Sequence, residues 1–465
     1  MTKTFYPFLF LVFSIFLLLC SPYLLSEGMF MDGLMYATVS RNLAEGEGSF
    51  WALKFSDVYL NSFHEHPPLA YGLQSICYSV FGDSIYVDRL YSWVMCLLSA
   101  WVIILIWKKI TIEKYHSYAW FPLLLWVVMP LTTWGAVNNM LENTMLFFVL
   151  WCVYFIIKNV QERKVFFLLA ASFSLAAAFF SKGFTGLFPL SFPFFIFCFK
   201  KDYPLNRAFI DTLLLLLFCT LIFSAVLILQ EDSWNSLLAY YETQVLNSLA
   251  NVQTVETRFF ILGKLFTESL IPLAIIIILA IINRKQKKES NSNEWLFILL
   301  CLGLSGVLPI MLSLKQNGHY LLTTLPLFAM VLALLALPSL SALIDKIQWT
   351  EKKAKLFLYF SIVVLIVSLS LVFVQKGEYS RDEQLIADIK QLKEILPSKT
   401  ICSTSISDFN NWGMQAYLYR YHHISLDIQQ PSTQKYFLTE GSKACPEGYS
   451  AVSSPLKRLR LFQKK

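Results

Sequence analysis

Three carboxylates and a small set of cations stand where an otherwise apolar chain has little reason to keep them. Asp32 follows shortly after an apolar run from Phe5 to Leu25, Glu65 lies between His64 and His66, and Glu142 opens another apolar run. A carboxylate at the edge of hydrocarbon is costly unless it is paired or used. In use, it takes a proton from an incoming hydroxyl or attacks an electrophilic carbon itself. Arg89, Lys182, Arg258, Lys315 and His66 also lie at or near the ends of apolar runs. Such a set suits an anionic group and steadies charge that grows on it. Tyr36, His319 and Tyr320 stand beside these residues with groups that hydrogen-bond a polar substrate. His64, Glu65 and His66 together invite a divalent cation, because imidazole and carboxylate suit Zn²⁺. Three adjacent side chains rarely point at one ion, however, and no partner follows at helical spacing.

Each candidate also has a plain structural reading. Asp32 and Glu142 at helix starts complement the helix dipole. Lys182 ends a run of Ala and Phe, where a lysine ordinarily snorkels to the interface. Lys315 and His319 flank Asn317-Gly318, a turn dipeptide, and Arg89 has Asp88 and Asp83 as neighbours to pair with.

The elements that must position these residues follow from composition. The 465 residues are 56% hydrophobic and only 15% charged, against about 25% charged in a soluble domain. That excludes a disordered chain, a coiled coil and an ordinary cytosolic enzyme, and no nucleic-acid partner is expected. Apolar runs long enough to cross a hydrocarbon core of roughly 30 Å lie at 5–25 and near 86–107, 117–133, 140–158, 165–181, 183–199, 210–230, 265–283, 295–313, 320–340 and 356–375. The expected fold is therefore an all-α polytopic membrane body of about eleven spans over residues 1–375. A cytoplasmic N-terminus puts 18 Lys and Arg on inner loops, including Arg284, Lys285, Lys287 and Lys288, and 7 on outer loops. This asymmetry predicts the orientation, and an odd span count then puts residues 376–465 outside.

The outer loop 26–85 is long enough to hold helices of its own, one through Leu34, Ala37, Val39 and Leu43 and one over Leu69–Phe81, each lying along the membrane. The tail changes texture. Residues 381–396 read as an amphipathic helix stopped by Pro397, with strands at Thr400–Ser403, Ile424–Leu426 and Tyr436–Thr439 and a helix at Trp412–Tyr421. A small extracytoplasmic α/β domain is expected there. Its Cys402 and Cys445 are left open between a disulfide and two free thiols.

Motifs in the outer segments resemble those of a known family. MDGLMYATVSRNL around Asp32, then HPPLAYGL and FGDSIYVDRL, are similar to the first outer loop of GT-C glycosyltransferases, in particular the lipid A aminoarabinose transferase and the dolichyl-phosphate-mannose protein mannosyltransferases. LENTMLFF, SKGFTGLFPL and SLKQNGHYLLTTLPLFA follow in the family's order. The chain departs from the pattern at Gly33, Met35 and His66, where family members often carry an acid, a base and a lysine. The departures leave the reaction class and reopen the sugar.

The resemblance implies transfer of a sugar from a polyprenyl phosphate to a lipid, glycan or protein acceptor at the outer surface of a plasma membrane, the inner one in a bacterium. Asp32 and Glu142 would be its catalytic acids, with Asp32 as base or orienting group. Lys182, Lys315, Arg258, Arg89 and His66 would bind the donor phosphate. Glu65, Tyr36, His319 and Tyr320 would meet sugar or acceptor. Direct displacement would invert the anomeric centre, whereas a covalent intermediate would require Glu142 or Glu65 as nucleophile. No organic cofactor is implied, and a divalent cation remains open. Two other functions compete: a flippase for the same lipid, which would place polar residues at mid-depth within repeated spans, and a scaffold that displays the tail.

Overall fold

The computed structural model describes residues 2–246, 253–282, 294–347, 349–429, 434–441 and 443–465. The chain opens with helix α1 (Thr2–Leu24), α2 (Met31–Ala44) and α3 (Leu69–Phe81), then α4 (Ile85–Ile110), α5 (Trp120–Val127) and α6 (Pro130–Val137). It continues through α7 (Leu141–Glu162), α8 (Val165–Lys182), α9 (Phe192–Phe199), α10 (Leu205–Leu229) and α11 (Ser233–Tyr240). The body closes with α12 (Phe260–Ile282), α13 (Glu294–Val307), α14 (Leu325–Asp345) and α15 (Glu351–Val374). Among the described residues, nine helices are long and apolar enough to cross a membrane.

Two expected spans are not single helices. The run at 117–133 is the pair α5 and α6, bent by 80° at a short break. Pro130 heads α6, a position where its missing N–H is no loss. The next orphan donor, Leu131 N–H, is taken by Glu268 Oε2 of α12 at 2.7 Å. The run at 183–199 begins as a 3₁₀ segment, Phe184–Ser191, and only then becomes α9. Gly183 (φ +97°) and Pro189 account for this irregular start.

Helices α1 and α15 leave the body on the same face. Glu27 N–H donates to Glu378 carbonyl at 2.7 Å and Ser380 N–H donates to Glu27 carbonyl at 2.8 Å, a short parallel bridge just beyond both helices. This bridge puts the start of segment 26–85 and the start of the tail on one side, which requires an even number of crossings between them. The basic residues Arg284, Lys285, Lys287 and Lys288 lie outside the described residues.

The tail folds as α16 (Glu383–Ile395), α17 (Ile406–Phe409), α18 (Trp412–His422) and a five-stranded sheet of order β2-β1-β3-β5-β4. Strands β1 (Ile401–Ser403), β2 (Ser425–Asp427) and β3 (Tyr436–Glu440) are parallel; β4 (Tyr449–Ala451) and β5 (Leu459–Lys464) close the far edge antiparallel. Cys402 is buried in β1 and Cys445 is exposed, both as free thiols, so the tail holds no disulfide between them.

One apolar cluster joins tail and outer loop: Leu385, Ile389, Tyr417, Leu426 and Leu461 share it with Met29, Leu34, Val39, Phe55 and Tyr71. Helix α2 is consequently buried from Gly33 to Asn42. The sequence suggested a helix with one side in lipid; the tail encloses it instead.

Candidate active site

Four elements converge beneath this joint. Asp32 occupies the first turn of α2. Glu142 occupies the first turn of α7, entered through Asn139 at φ 51°. Lys182 ends α8, where a cation meets the negative end of the helix dipole. Lys315, His319 and Tyr320 come from the loop after α13. Gly183 stops α8 next to Lys182; a Cβ there would lie 1.8 Å from the Tyr240 hydroxyl, so only glycine lets the chain turn at this point.

Glu142 is 1% exposed and Lys182 8% exposed, and they form an ion pair of 2.5 Å between Lys182 Nζ and Glu142 Oε1. His319 Nε2 lies 3.8 Å from the same oxygen. Its ring stacks on Trp134 at 6.0 Å between centroids, while Lys182 Nζ stands 5.8 Å above the Tyr320 ring. Lys182 is therefore a buried cation rather than a lysine snorkelling to water. Glu142, expected to touch substrate, is committed to Lys182.

Asp32 is held differently. Burial raises its carboxyl to about 6, with Lys182 and Lys315 pulling down and Glu142 pushing up. Glu65 rises to about 7, through burial first and the Asp32 charge second, with Lys315 opposing. Lys315 is itself lowered by burial and by Lys182, and its Nζ donates to Gln244 Oε1 at 3.1 Å. His66 shares a 3.3 Å hydrogen bond with the Tyr36 hydroxyl. Burial and the nearby Lys182, Lys315 and His319 push His66 well below the usual imidazole range, so it is neutral and not the phosphate-binding cation expected. Burial likewise lowers His319 to about 4 despite the facing Glu142. Tyr320, with its hydroxyl accepting from Asn317 Nδ2 at 3.3 Å, is raised to about 12 by burial.

One predicted anion ligand is engaged elsewhere. Arg89 is buried with its guanidinium bound to the carbonyls of Val137, Ser26 and Gly28, where it ties the body to the strand of chain before α2. Its neighbour Asp88 pairs with Arg420 of the tail, at 2.7 and 3.0 Å. Arg258 is exposed before α12, and its carbonyl accepts from Gln316. His64 turns to Ser62 and Ser236 while His66 turns to Tyr36, so the three adjacent residues do not converge. Among the described residues no group of three His, Cys, Asp or Glu side chains is arranged to hold a metal.

Sequence reasoning passed over Tyr71, Trp134 and Gln244. Tyr71 is fully buried, with its hydroxyl unpartnered beside Tyr36. It lies within the HPPLAYGL motif, which gave a signal for it; Trp134 and Gln244 had none.

A polytopic helical body with a small α/β domain over one face is the GT-C fold. The family model described as dolichyl-phosphate-mannose-protein mannosyltransferase matches residues 65–229. Among solved structures, the chain is similar to ArnT from Cupriavidus metallidurans bound to undecaprenyl phosphate, with a TM-score of 0.64 at 13% identity over 98% of this chain and 97% of that one. The apo state of the same protein gives 0.60 at 13% identity over 91% and 85%. The archaeal oligosaccharyltransferase AglB from Archaeoglobus fulgidus, in complex with an inhibitory peptide and a dolichol-phosphate, gives 0.50 at 10% identity, over 90% of this chain and 63% of that one. At such identities these likenesses establish the fold. No curated protein matches the sequence.

Proposed function

We propose that the chain is a membrane glycosyltransferase that moves a sugar from a polyprenyl-phosphate donor to an acceptor at the membrane surface. The observation that carries this reading is the placement of the raised carboxyl of Asp32 in one cluster with Lys182 and Lys315, on the face covered by the tail. The leaving group of such a donor is a lipid phosphate, already anionic, so the site must supply cations rather than a general acid. Lys182 and Lys315 are those cations, and partial desolvation strengthens their attraction for phosphate. The two named ligands, undecaprenyl phosphate in the ArnT structure and dolichol-phosphate in AglB, are of this chemical class.

The acceptor hydroxyl attacks the anomeric carbon from the side opposite the phosphate. Its oxygen forms the new bond while the old C–O bond breaks, and that electron pair leaves on the phosphate. The hydroxyl proton passes to Asp32, a better base at its raised pKa than an ordinary aspartate. Glu65, half-protonated near neutrality, hydrogen-bonds a sugar hydroxyl, and neutral His66 with Tyr36 adds further polar contacts. Glu142 holds Lys182 in place. The stereochemical outcome is inversion.

The charge asymmetry of the loops supports a cytoplasmic N-terminus, with the site and tail outside, in a plasma membrane. The test is mass spectrometry of envelope lipids, glycans and proteins from cells with and without the gene, repeated with Asp32→Asn. Loss of one sugar modification in both, with normal membrane insertion of the variant, is expected. Full modification by Asp32→Asn would remove the base assigned here, and an unchanged envelope in the deletion would remove the activity.

A further inference from the structure

Helix α18 of the tail runs beside α2 and holds α2 near both of that helix's ends. At the C-terminal end, Arg41 Nη1 donates to the Arg420 carbonyl at 3.1 Å, and Arg420 is itself anchored on Asp88 and, at 2.7 Å, on Asp83. At the N-terminal end, the Tyr417 hydroxyl accepts from Met29 N–H at 2.9 Å and lies 3.0 Å from Asp382 Oδ2 and 3.1 Å from the Met29 carbonyl. Its single proton serves one of these acceptors at a time, and the carboxylate is the stronger. Met29 and Phe30 are the last residues before the helix that starts with Met31 and Asp32.

The rest of this short segment is fastened too. Phe30 N–H donates to Asn138 Oδ1 at 3.0 Å, the Ser380 hydroxyl stands 2.8 and 2.9 Å from the carbonyls of Glu27 and Gly28, and Arg89 grips Ser26 and Gly28 from the body. Gly28 sits at φ +87°, and a Cβ there would come within 2.3 Å of the Arg381 carbonyl, so the tail approaches as closely as a glycine allows. Of these fastenings, Tyr417 is the one that ties the distal part of the tail to the backbone leading into Asp32.

We propose that Tyr417 is a positioning residue for Asp32, and that the tail domain is thereby a structural part of the catalytic unit. The mechanism is direct. A base must meet the acceptor proton at hydrogen-bond distance, and a shift of about 1 Å is enough to lower a rate by roughly a hundredfold. Asp32 rides on the first turn of α2, so freedom in the residues before that turn becomes freedom of its carboxylate. This inference rests on the reading of Asp32 as base.

Tyr417→Phe is the test, because the ring is 2% exposed and its packing survives loss of the hydroxyl. Transfer is measured with the polyprenyl-phosphate lipid fraction extracted from cells lacking the gene, on membranes of the same cells. The expected result is kcat lower by about tenfold to a hundredfold, with KM for the donor fraction within twofold of wild type. The acid limb of the pH profile also moves below about 6 as water reaches the carboxyl. Asp382→Asn, which weakens the proton acceptor and leaves the hydroxyl, moves both quantities less and in the same direction. Undecaprenyl phosphate binding, followed as a thermal shift, stays at the wild-type level and reports that the site is folded.

Wild-type kcat and acid limb in Tyr417→Phe would overturn the inference. A loss of rate that merely follows loss of folded protein and of undecaprenyl phosphate binding, with the acid limb unmoved, would do the same. If Asp32→Asn itself is fully active, the parent reading has failed; if Asp32→Asn is inactive while Tyr417→Phe behaves as wild type, only this inference has.

Discussion

Replacing Lys182 with methionine separates the two things this lysine does. In the folded protein it neutralises Glu142, which is 1% exposed and 2.5 Å away. Removing one partner of a buried pair leaves an uncompensated charge and destabilises by about 3–5 kcal/mol. His319 stands 3.8 Å from the same carboxylate oxygen but is held neutral by burial, so it does not substitute for the lysine. Lys182→Met should therefore lower the thermal midpoint by several degrees. Transfer should also fall, by about 10²–10³-fold, the usual loss for one group that stabilises developing charge.

The double variant Lys182→Met/Glu142→Gln distinguishes these effects. Without the carboxylate there is no orphan charge, so stability should recover most of the single-variant loss. Activity should not recover, because the phosphate still lacks its cation. The assays are thermal unfolding in detergent, undecaprenyl phosphate binding, and sugar transfer in membranes. Recovery of activity together with stability in the double variant would refute the assignment of Lys182 to the phosphate. Wild-type transfer by the single variant would refute it more simply.

Three further outcomes are expected. Transfer should rise with pH through about 6 and level off above it, since the active form of Asp32 is the carboxylate and its folded pKa is raised. The same shift means that the folded state loses stability as pH rises through that range; Asp32→Asn should accordingly unfold at higher temperature than wild type at pH 7.5. Gly33→Ala should destabilise the protein by about 1–3 kcal/mol and reduce transfer, since the new Cβ would lie 2.0 Å from the Asn138 carbonyl; wild-type thermal unfolding would show that α2 has room there. Cys445 should react with a maleimide in the native protein and Cys402 only after unfolding, with identical mobility on reducing and non-reducing gels.

The sequence carried the span pattern because burial of backbone in lipid leaves few alternatives to apolar helices. It carried Asp32, Lys182 and Lys315 because charge is scarce in such a chain and each one must be satisfied. It did not carry the roles of Arg89 and His66. Whether an arginine binds a ligand or three backbone carbonyls depends on which chain segments surround it, and the carbonyls of Val137, Ser26 and Gly28 lie 48, 63 and 61 residues from Arg89 in sequence. His66 reads as a cation until it is known to be enclosed beside Lys182 and Lys315. The tail shows the same division. Helix Glu383–Ile395 and the first three strands followed from periodicity, but β5 did not, because its basic residues mask a short alternation. It is placed by Asp388, whose fully buried carboxylate accepts the N–H groups of Lys457, Arg458 and Leu459 at 2.7 to 2.9 Å.

Gly33 shows how a departure from a pattern acquires a cause. In sequence it is an acid that is missing; in the structure it is the residue that lets α2 meet the Asn138 carbonyl. Local sequence determined which segments are helices, where charge is permitted and which few residues are available for chemistry, since those depend on propensity and hydrophobic period. Tertiary structure alone decided which of those residues share a site, because a carboxylate's pKa and a lysine's partner are set by neighbours on other elements of the chain. It also decided that the tail encloses the helix bearing Asp32, a contact between surfaces that are each only half apolar until they meet.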